Sequence, residues 1–357
     1  MKIGILTGGG DCPGLNAVVR GVTKSALRRG WEVIGFRDGY RGLVEKDFMQ
    51  LHDHDVSGII IRGGTMLGTS NTANPFAYTL EPLGSCASPK DLSKLVFRNF
   101  RELELDALVA IGGDGTLTMA EQLYKRGMPV VGVPKTIDND LSATDVTFGF
   151  DSALHVATQA VDRVHTTAES HDRVMIVETM GRYAGWIALN AGVSGNADAI
   201  LIPEIPYDID KVAAALRERP KRGKHYAIVV VAEGAKPKGG AVSVLSKELG
   251  RAEKLGGAGE RVAKDLEPLV GKECRTVVLG HLLRGGCPTT FDRLISLRFG
   301  AAAVRALEEG RTGVMVALDP PTVRYVPLKE ATSHMKIVPL DCDTVLTARD
   351  LGISFGD

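Results

Sequence analysis

Val133-Pro134-Lys135-Thr136-Ile137-Asp138-Asn139-Asp140 follows an apolar run at 129–133 and precedes a helical pattern that begins near Phe150. Two carboxylates two residues apart, with a hydroxyl and an ammonium beside them, therefore stand where a strand should end. In an open α/β sheet that end carries the chemistry. Asp138 reads as a proton acceptor and Asp140 as a charge near a metal. A loop at a strand end is also simply where polar residues collect, so both readings stay open at this point.

The same layout recurs along the chain. Ile3-Gly4-Ile5-Leu6 leads into Thr7-Gly8-Gly9-Gly10-Asp11-Cys12-Pro13-Gly14, and a helical pattern then runs from Leu15 to Arg29, with Gly30 as its stop. Strand, glycine loop and helix let backbone N–H groups approach a phosphate at a helix N-terminus. The loop is neither G-x-x-x-x-G-K-[ST] nor a good G-x-G-x-x-G, so the P-loop and dinucleotide fingerprints are absent. Residues 106–111 read as a buried strand entering Gly112-Gly113-Asp114-Gly115-Thr116, with a helix expected over 117–126.

Further strands are expected at 31–36, 174–177, 199–202, 226–231, 276–279 and 313–317. Helices are expected at 91–103, from Phe150 through Val164, after Trp186, at 210–219, at 290–307 and within 338–353. Residues 38–40 read as a turn, 70–90 and 235–259 as surface loop, and the basic run 217–224 as a solvated turn. The alternation predicts an α/β fold of two lobes, with parallel doubly wound sheets and helices on both faces. One lobe is expected from 1–149 with about 284–333, the other from about 150–283 with 334–357.

A chain of 357 residues can bury a large core and form two lobes. Its 43 basic and 43 acidic side chains cancel, so no overall field draws it to nucleic acid or membrane. Five dispersed cysteines without a C-x-x-C pair read as reduced thiols of a cytoplasmic protein. The chain opens directly on a strand, so no signal peptide is expected, and no run approaches the ~20 apolar residues that span a bilayer. His52 and His54 form an H-x-H, but with carboxylate-rich flanks and no further ligand cluster the pair does not read as a metal site.

Taken together, the strand ends carry two glycine-rich loops, the carboxylates Asp114, Asp138 and Asp140, and a basic set of Arg173, Arg182, Arg275, His281 and Arg284. Carboxylates, a divalent cation and arginines are the inventory of phosphoryl transfer between phosphorylated partners. Arginine suits a sugar phosphate because its planar fork pairs two oxygens at once.

These residues resemble a known family. Pro134-Lys135-Thr136-Ile137-Asp138-Asn139-Asp140, Met180-Gly181-Arg182 and Gly280-His281-x-x-Arg284-Gly285-Gly286, in this order, are similar to the motifs of 6-phosphofructokinases. Gly112-Gly113-Asp114-Gly115-Thr116 adds little alone, since NAD kinases and diacylglycerol kinases carry a similar turn. The resemblance implies phosphorylation of fructose 6-phosphate at its 1-hydroxyl, with Mg²⁺ and either ATP or pyrophosphate as donor. Asp138 then matches the general base, and Thr136 a contact to the same region. Asp114 and Asp140 match the positions that handle the metal. Gly9 and Gly10 would offer amides to the donor's terminal phosphates, Gly112, Gly113, Gly115 and Thr116 would line the donor site, and Tyr40 would lie near the nucleotide. Met180, Gly181 and Glu233 match sugar contacts, Arg182 a residue at the transferring phosphoryl, and His281 with Arg284 binders of the sugar 6-phosphate. Arg173 and Arg275 match residues that reach in from a neighbouring subunit, which implies a homo-oligomer, dimer or tetramer.

Two positions bear on the donor. Gly115 has no side chain where pyrophosphate users of the family usually carry Asp, whereas Lys135 resembles those users, since ATP users commonly have Gly there. A blocked nucleotide site cannot be opened by other contacts, so Gly115 weighs more and ATP is the expected donor. The loop after Gly68, Thr69-Ser70-Asn71-Thr72-Ala73-Asn74, lacks the basic residue usual there, and Arg62 or Lys135 would have to supply that charge. Arg20 and Lys24 match basic positions of the bacterial effector site, but His165 stands where that site has an arginine. Competing readings are an NAD or lipid kinase sharing only the Gly112–Thr116 turn, and a non-catalytic regulatory subunit.

Overall fold

The computed structural model describes residues 1–79, 88–220, 223–246 and 254–357. Parts of the stretches 70–90, 217–224 and 235–259 read above as loops, and Cys86, lie outside these residues. In chain order the strands are β1 (Lys2–Thr7), β2 (Glu32–Phe36), β3 (Phe48–Gln50), β4 (Ala107–Gly112), β5 (Val130–Pro134), β6 (Val174–Thr179), β7 (Ala199–Leu201), β8 (Ala227–Ala232), β9 (Val244–Ser246), β10 (Lys254–Leu255), β11 (Cys274–Val278), β12 (Val314–Asp319) and β13 (Thr322–Pro327). The helices are α1 (Leu15–Leu27), α2 (Tyr40–Glu45), α3 (Ser93–Glu102), α4 (Asp114–Lys125), α5 (Phe150–Ser170), α6 (Trp186–Ser194), α7 (Ile209–Arg217), α8 (Ala258–Val270), α9 (Thr290–Glu308), α10 (Leu328–Ala331) and α11 (Asp343–Asp350). Two compact units result. The first comprises Met1–Ile137, Leu141–Ser152 and Arg284–Met335; the second comprises Asp138–Asp140, Ala153–Leu283 and Lys336–Asp357.

The first unit is built on a seven-stranded sheet in the order β13-β12-β5-β4-β1-β2-β3. Its five inner strands are parallel, as the alternation predicts, but both edges are antiparallel, β3 to β2 and β13 to β12. β3 has only three residues, too few for a period to show, and β13 returns directly from β12, so neither edge announces itself as a βαβ step. Strand side chains alternate between faces. Leu6, Leu108, Ala110 and Val130 share one cluster with Val96 and Phe100 of α3 and Leu117, Ala120 and Leu123 of α4. The intervening Ile3, Ile5, Val109 and Val131 are equally buried on the opposite face, and there α1 packs along α9 and α9 against β5.

One buried carboxylate ties two helix starts together in this unit. Asp292, 0 % exposed in the first turn of α9, accepts from the N–H of Gly149 (3.0 Å), the N–H of Ser152 (2.7 Å) and the Ser152 hydroxyl (2.6 Å) at the start of α5. Asp292→Ala strands these donors, and the expected cost is on the order of 3 kcal/mol. It should appear as a lower urea midpoint with an unchanged slope. Burial pushes the Asp292 carboxyl up to about 6, against the hydrogen bonds that favour its charge. An acid raised in the folded state adds stability below its unfolded pKa of about 4. That contribution is lost as the pH rises through about 6. Wild-type stability relative to Asp292→Asn should therefore decline across that window.

The second unit holds a four-stranded, wholly parallel sheet in the order β11-β6-β8-β7. Val174, Ile176, Val229 and Val231 pack with Val212 and Leu216 of α7 and Val262 and Leu266 of α8. The loop reading of 235–259 holds only in part: a short β9–β10 pairing flanks residues outside the description, and α8 starts at Ala258. The start of α8 is held by a buried carboxylate, Glu178 of β6, which accepts from the Gly259 N–H at 2.8 Å. The 217–224 run is not simply solvated, because Arg219 pairs with Asp198 and donates to the Tyr226 carbonyl at 2.8 Å. Among the described residues, no helix is long and apolar enough to cross a membrane.

Candidate active site

In the first unit β4 lies between β1 and β5, with Thr7 opposite Ile111 and Gly112 opposite Pro134. Three polar tracts thus leave the sheet side by side at its C-terminal edge, where an open α/β sheet binds its ligands. The Gly8 N–H donates to the Ile111 carbonyl at 2.9 Å and joins the two glycine loops. A Cβ at Gly8 would lie 2.6 Å from the Thr116 hydroxyl oxygen, and one at Gly112 would lie 2.3 Å from the Thr116 Cβ. Buried Thr116, not a ligand, is what requires glycine at both places.

The helix after the second loop starts at Asp114, not at Leu117 as the apolar pattern predicts, so Asp114, Gly115 and Thr116 form its first turn. Amides of a first turn have no partner within the helix, and the dipole adds positive potential there. They border a cleft also lined by Gly10, Lys135, Thr136 and Arg284. Lys135 is 3 % exposed and its ammonium donates to the Gly10 carbonyl. Arg284 Nη1 donates to the Asp11 carbonyl at 3.2 Å, and a Cβ at Gly10 would lie 2.8 Å from it. Two cations therefore back the first glycine loop. Arg62, the other candidate for the missing basic charge, is exposed and is not among the described lining residues. A Cβ at Gly115 would meet nothing within 4 Å among the described residues.

Two of the expected donor-site residues are engaged within the protein. The Gly9 N–H donates to the Ser70 carbonyl at 3.2 Å, so this amide is already engaged by the loop that lacks a basic residue. Tyr40 is 2 % exposed and belongs to the core, and its hydroxyl donates to the Thr116 carbonyl at 3.0 Å. Burial drives its phenol far above the ordinary range. It supports the first turn of α4 from beneath and does not border the cleft.

The opening stretch crosses from the first unit to the second at Ile137–Asp138. Lys135 and Thr136 are pinned in the first unit: the Lys135 N–H donates to the Gly112 carbonyl at 3.0 Å, and the Thr147 hydroxyl donates to the Thr136 carbonyl at 2.7 Å. Asn139 has φ +52°, the left-handed region that asparagine enters more readily than most residues. It bends the chain between half-buried Asp138 and Asp140. In the second unit Lys336 holds this bend, its N–H on the Asp140 carbonyl (2.9 Å) and its ammonium on the Asn139 side-chain oxygen (3.0 Å). The Trp186 indole N–H in turn donates to the Lys336 carbonyl at 3.0 Å. Neither Lys336 nor Trp186 sits in a motif, and sequence reasoning missed both.

The remaining second-unit residues divide by the ends of their strands. Met180, Gly181 and Arg182 follow β6, Glu233 follows β8, and exposed His281 follows β11, all at C-terminal ends of parallel strands. The Glu233 N–H donates to the Thr179 carbonyl (2.9 Å) and the Gly234 N–H to the Gly181 carbonyl (3.1 Å), which locks two of these turns together. Arg173 precedes β6 and Arg275 stands near the start of β11, at the opposite end of the same sheet. Glu273, also missed from the sequence, pairs with both arginines. Five or six residues at ~3.3 Å each separate the two ends by roughly 17–20 Å. Arg173 and Arg275 thus cannot join Met180 and Glu233 within one copy of this sheet. His281 and Arg284, both expected to bind the sugar 6-phosphate, belong to different units, and Arg284 lies against the first glycine loop.

The chain matches the family model described as phosphofructokinase over residues 2–307. It is 52 % identical to the ATP-dependent 6-phosphofructokinase 2 of Clostridium perfringens, an alignment covering 100 % of this chain and 98 % of that protein. It is 49 % identical to the pyrophosphate–fructose 6-phosphate 1-phosphotransferase of Amycolatopsis methanolica, over 95 % of this chain and 96 % of that protein. Among solved structures, the T-state phosphofructokinase of Pichia pastoris superposes with a TM-score of 0.80 at 30 % identity, covering 100 % of this chain and 37 % of that longer one.

Proposed function

The chain belongs to the phosphofructokinase family, and from that premise we propose that it transfers a phosphoryl group from ATP to the 1-hydroxyl of fructose 6-phosphate, giving fructose 1,6-bisphosphate. The observation that carries the donor assignment is the open first turn of α4 at Gly115, bordering a cleft with two cations behind its glycine loop. Relatives named for ATP and for pyrophosphate are nearly equally similar, so overall identity does not choose between donors. The buried Lys135 ammonium is the feature that favours pyrophosphate as a second reading. An ammonium on the loop carbonyl need not exclude a nucleotide, whereas a carboxylate at position 115 would.

Asp138 takes the proton from the attacking hydroxyl. Aspartate is a weak base, with an unperturbed pKa of about 4, but a loose phosphoryl-transfer transition state lets it accept the proton late. Thr136 contacts the same reacting region. The Gly10 amide, the first-turn amides of α4, Lys135 and Arg284 stabilise charge on the donor's phosphates, with Lys135 taking over work usually done by a basic residue after Gly68. Arg182 meets the transferring group, Met180, Gly181 and Glu233 orient the sugar, and His281 binds its 6-phosphate. Asp114, exposed on the cleft, and Asp140 are hard oxygen donors of the kind Mg²⁺ accepts while keeping several waters. When bound, the ion would neutralise charge on donor phosphate oxygens. Turnover of fructose 6-phosphate without transfer to NAD⁺ or diacylglycerol tests the acceptor.

Arg173 and Arg275 act on the site of a second copy of the chain, so the working unit is a homo-oligomer in the cytoplasm. Their position at the far end of their own sheet supports this reading. Hybrids between Asp138→Ala and Arg173→Ala subunits test it. Each variant alone is deficient, but a mixed dimer keeps one site with both residues, and random mixing should recover roughly a quarter of wild-type activity. Hybrids no more active than their parents would contradict shared sites.

A further inference from the structure

We propose that His52, His54 and Asp55 form a binding site for a first-row transition-metal dication of the zinc type, apart from the Mg²⁺-dependent chemistry. The three residues lie in the first unit, in the segment between β3 and a 3₁₀ turn at Ile59–Ile61. H-x-H alone is a weak signal. The fold supplies what the sequence did not show, a third ligand in a suitable place.

His52 Nδ1 lies 3.3 Å from Asp55 Oδ2, and His54 Nε2 lies 3.4 Å from Asp55 Oδ1. The two imidazoles stack with centroids 5.4 Å apart and planes 13° from parallel, and one ligand atom from each residue lies within 4.8 Å of the others. A tetrahedral ion with ligands at ~2.0–2.1 Å spaces them about 3.4 Å apart. Each ring already stands at that spacing from one Asp55 oxygen, His52 from Oδ2 and His54 from Oδ1. With a single carboxylate oxygen as ligand, the other two separations need to close by no more than about 1.5 Å, a rotation open to rings that are 52 % and 80 % exposed.

The ligands are also held from behind, as metal ligands generally are. The His52 N–H donates to Asp55 Oδ2 at 2.8 Å, which fixes the carboxylate and holds it below its ordinary range. Asp53, between the histidines, is drawn away by an ion pair with Lys24 of α1. Arg20 of α1 donates to the Val56 carbonyl at 2.6 Å, so the segment is tied to α1 on both sides of Asp55. Two imidazoles and one carboxylate favour Zn²⁺, Co²⁺, Ni²⁺ or Cu²⁺, whereas Mg²⁺ prefers oxygen and water. The exposed side leaves the fourth position to water.

The test uses the full-length enzyme, stripped of metal and kept in excess Mg²⁺ so that carboxylate sites are occupied. Calorimetric titration with Zn²⁺ should show one equivalent bound with Kd on the order of 1–10 μM. Co²⁺ should give visible ligand-field bands. His52→Ala, His54→Ala and Asp55→Asn should each weaken Zn²⁺ binding at least about tenfold. His155→Ala, an exposed histidine on α5, should leave it unchanged. All these side chains except that of Asp55 are exposed, so folding is not at stake, and circular dichroism checks it. Binding that survives His54→Ala, or no binding up to about 100 μM Zn²⁺, would overturn the proposal.

Discussion

Asp138→Ala is expected to lower kcat by roughly three orders of magnitude, the usual range for a lost general base, which corresponds to about 4 kcal/mol. KM for fructose 6-phosphate should change little, because the sugar contacts assigned above lie elsewhere, at Met180, Glu233 and His281. Equal falls in kcat and kcat/KM would mean that the lost interaction is made only in the transition state. Asp138→Ser, which keeps a small polar side chain beside the Asn139 bend, should be nearly as inactive. A fall of less than about tenfold in either variant would remove Asp138 from the role of base.

The second large effect is expected at Gly115. Gly115→Asp introduces a carboxylate where none of the described residues stands within 4 Å of a Cβ, so no clash should disturb the fold. The position is in the first turn of α4, where replacing glycine and adding a negative charge both favour the helix by a few tenths of a kcal/mol or more. Stability should therefore hold or rise. Use of ATP should fall steeply: two unit charges about 5 Å apart at an effective dielectric near 20 repel by about 3 kcal/mol, or roughly a hundredfold in kcat/KM. Pyrophosphate, which has no α-phosphate or ribose to exclude, should lose far less. A stable variant with an unaltered preference for ATP would show that position 115 does not select the donor.

The repeating units of the fold were legible because each strand is short and apolar and each following helix has its own period. α1 was readable to within two residues of its observed limits, and α5 was readable at its start, although it runs on past Val164 to Ser170. What escaped depends on contacts between distant residues. β3 has three residues and no period. α4 begins at Asp114, within a glycine-rich stretch that its apolar spacing could not include. Glu178, an acid within an apolar strand, gives no hint in sequence that it holds the start of α8.

The site divides in the same way. Motif residues could be named from sequence, but their engagements could not. The Gly9 amide is taken by Ser70, Tyr40 is sealed in the core, and Arg173 reaches Glu273 a hundred residues away, each through a partner remote in sequence; Glu273 also pairs with its near neighbour Arg275. Lys336 braces the Asp138–Asp140 bend across a gap of 197 residues, and Trp186 holds Lys336 across a gap of 150, which no local pattern could reveal. Asp55 is the converse case. It lies beside the histidines in sequence, yet only the folded turn brings its carboxylate to both rings.

The central claim is that this chain phosphorylates fructose 6-phosphate from ATP, with Gly115 keeping the nucleotide site open. The most direct measurement is the initial rate of fructose 1,6-bisphosphate formation by the wild-type enzyme with Mg²⁺, with ATP and pyrophosphate each supplied alone at saturation. Efficient turnover with ATP and little with pyrophosphate is expected. Efficient turnover with pyrophosphate and none with ATP would contradict it, and would make Lys135 the residue that defines the donor.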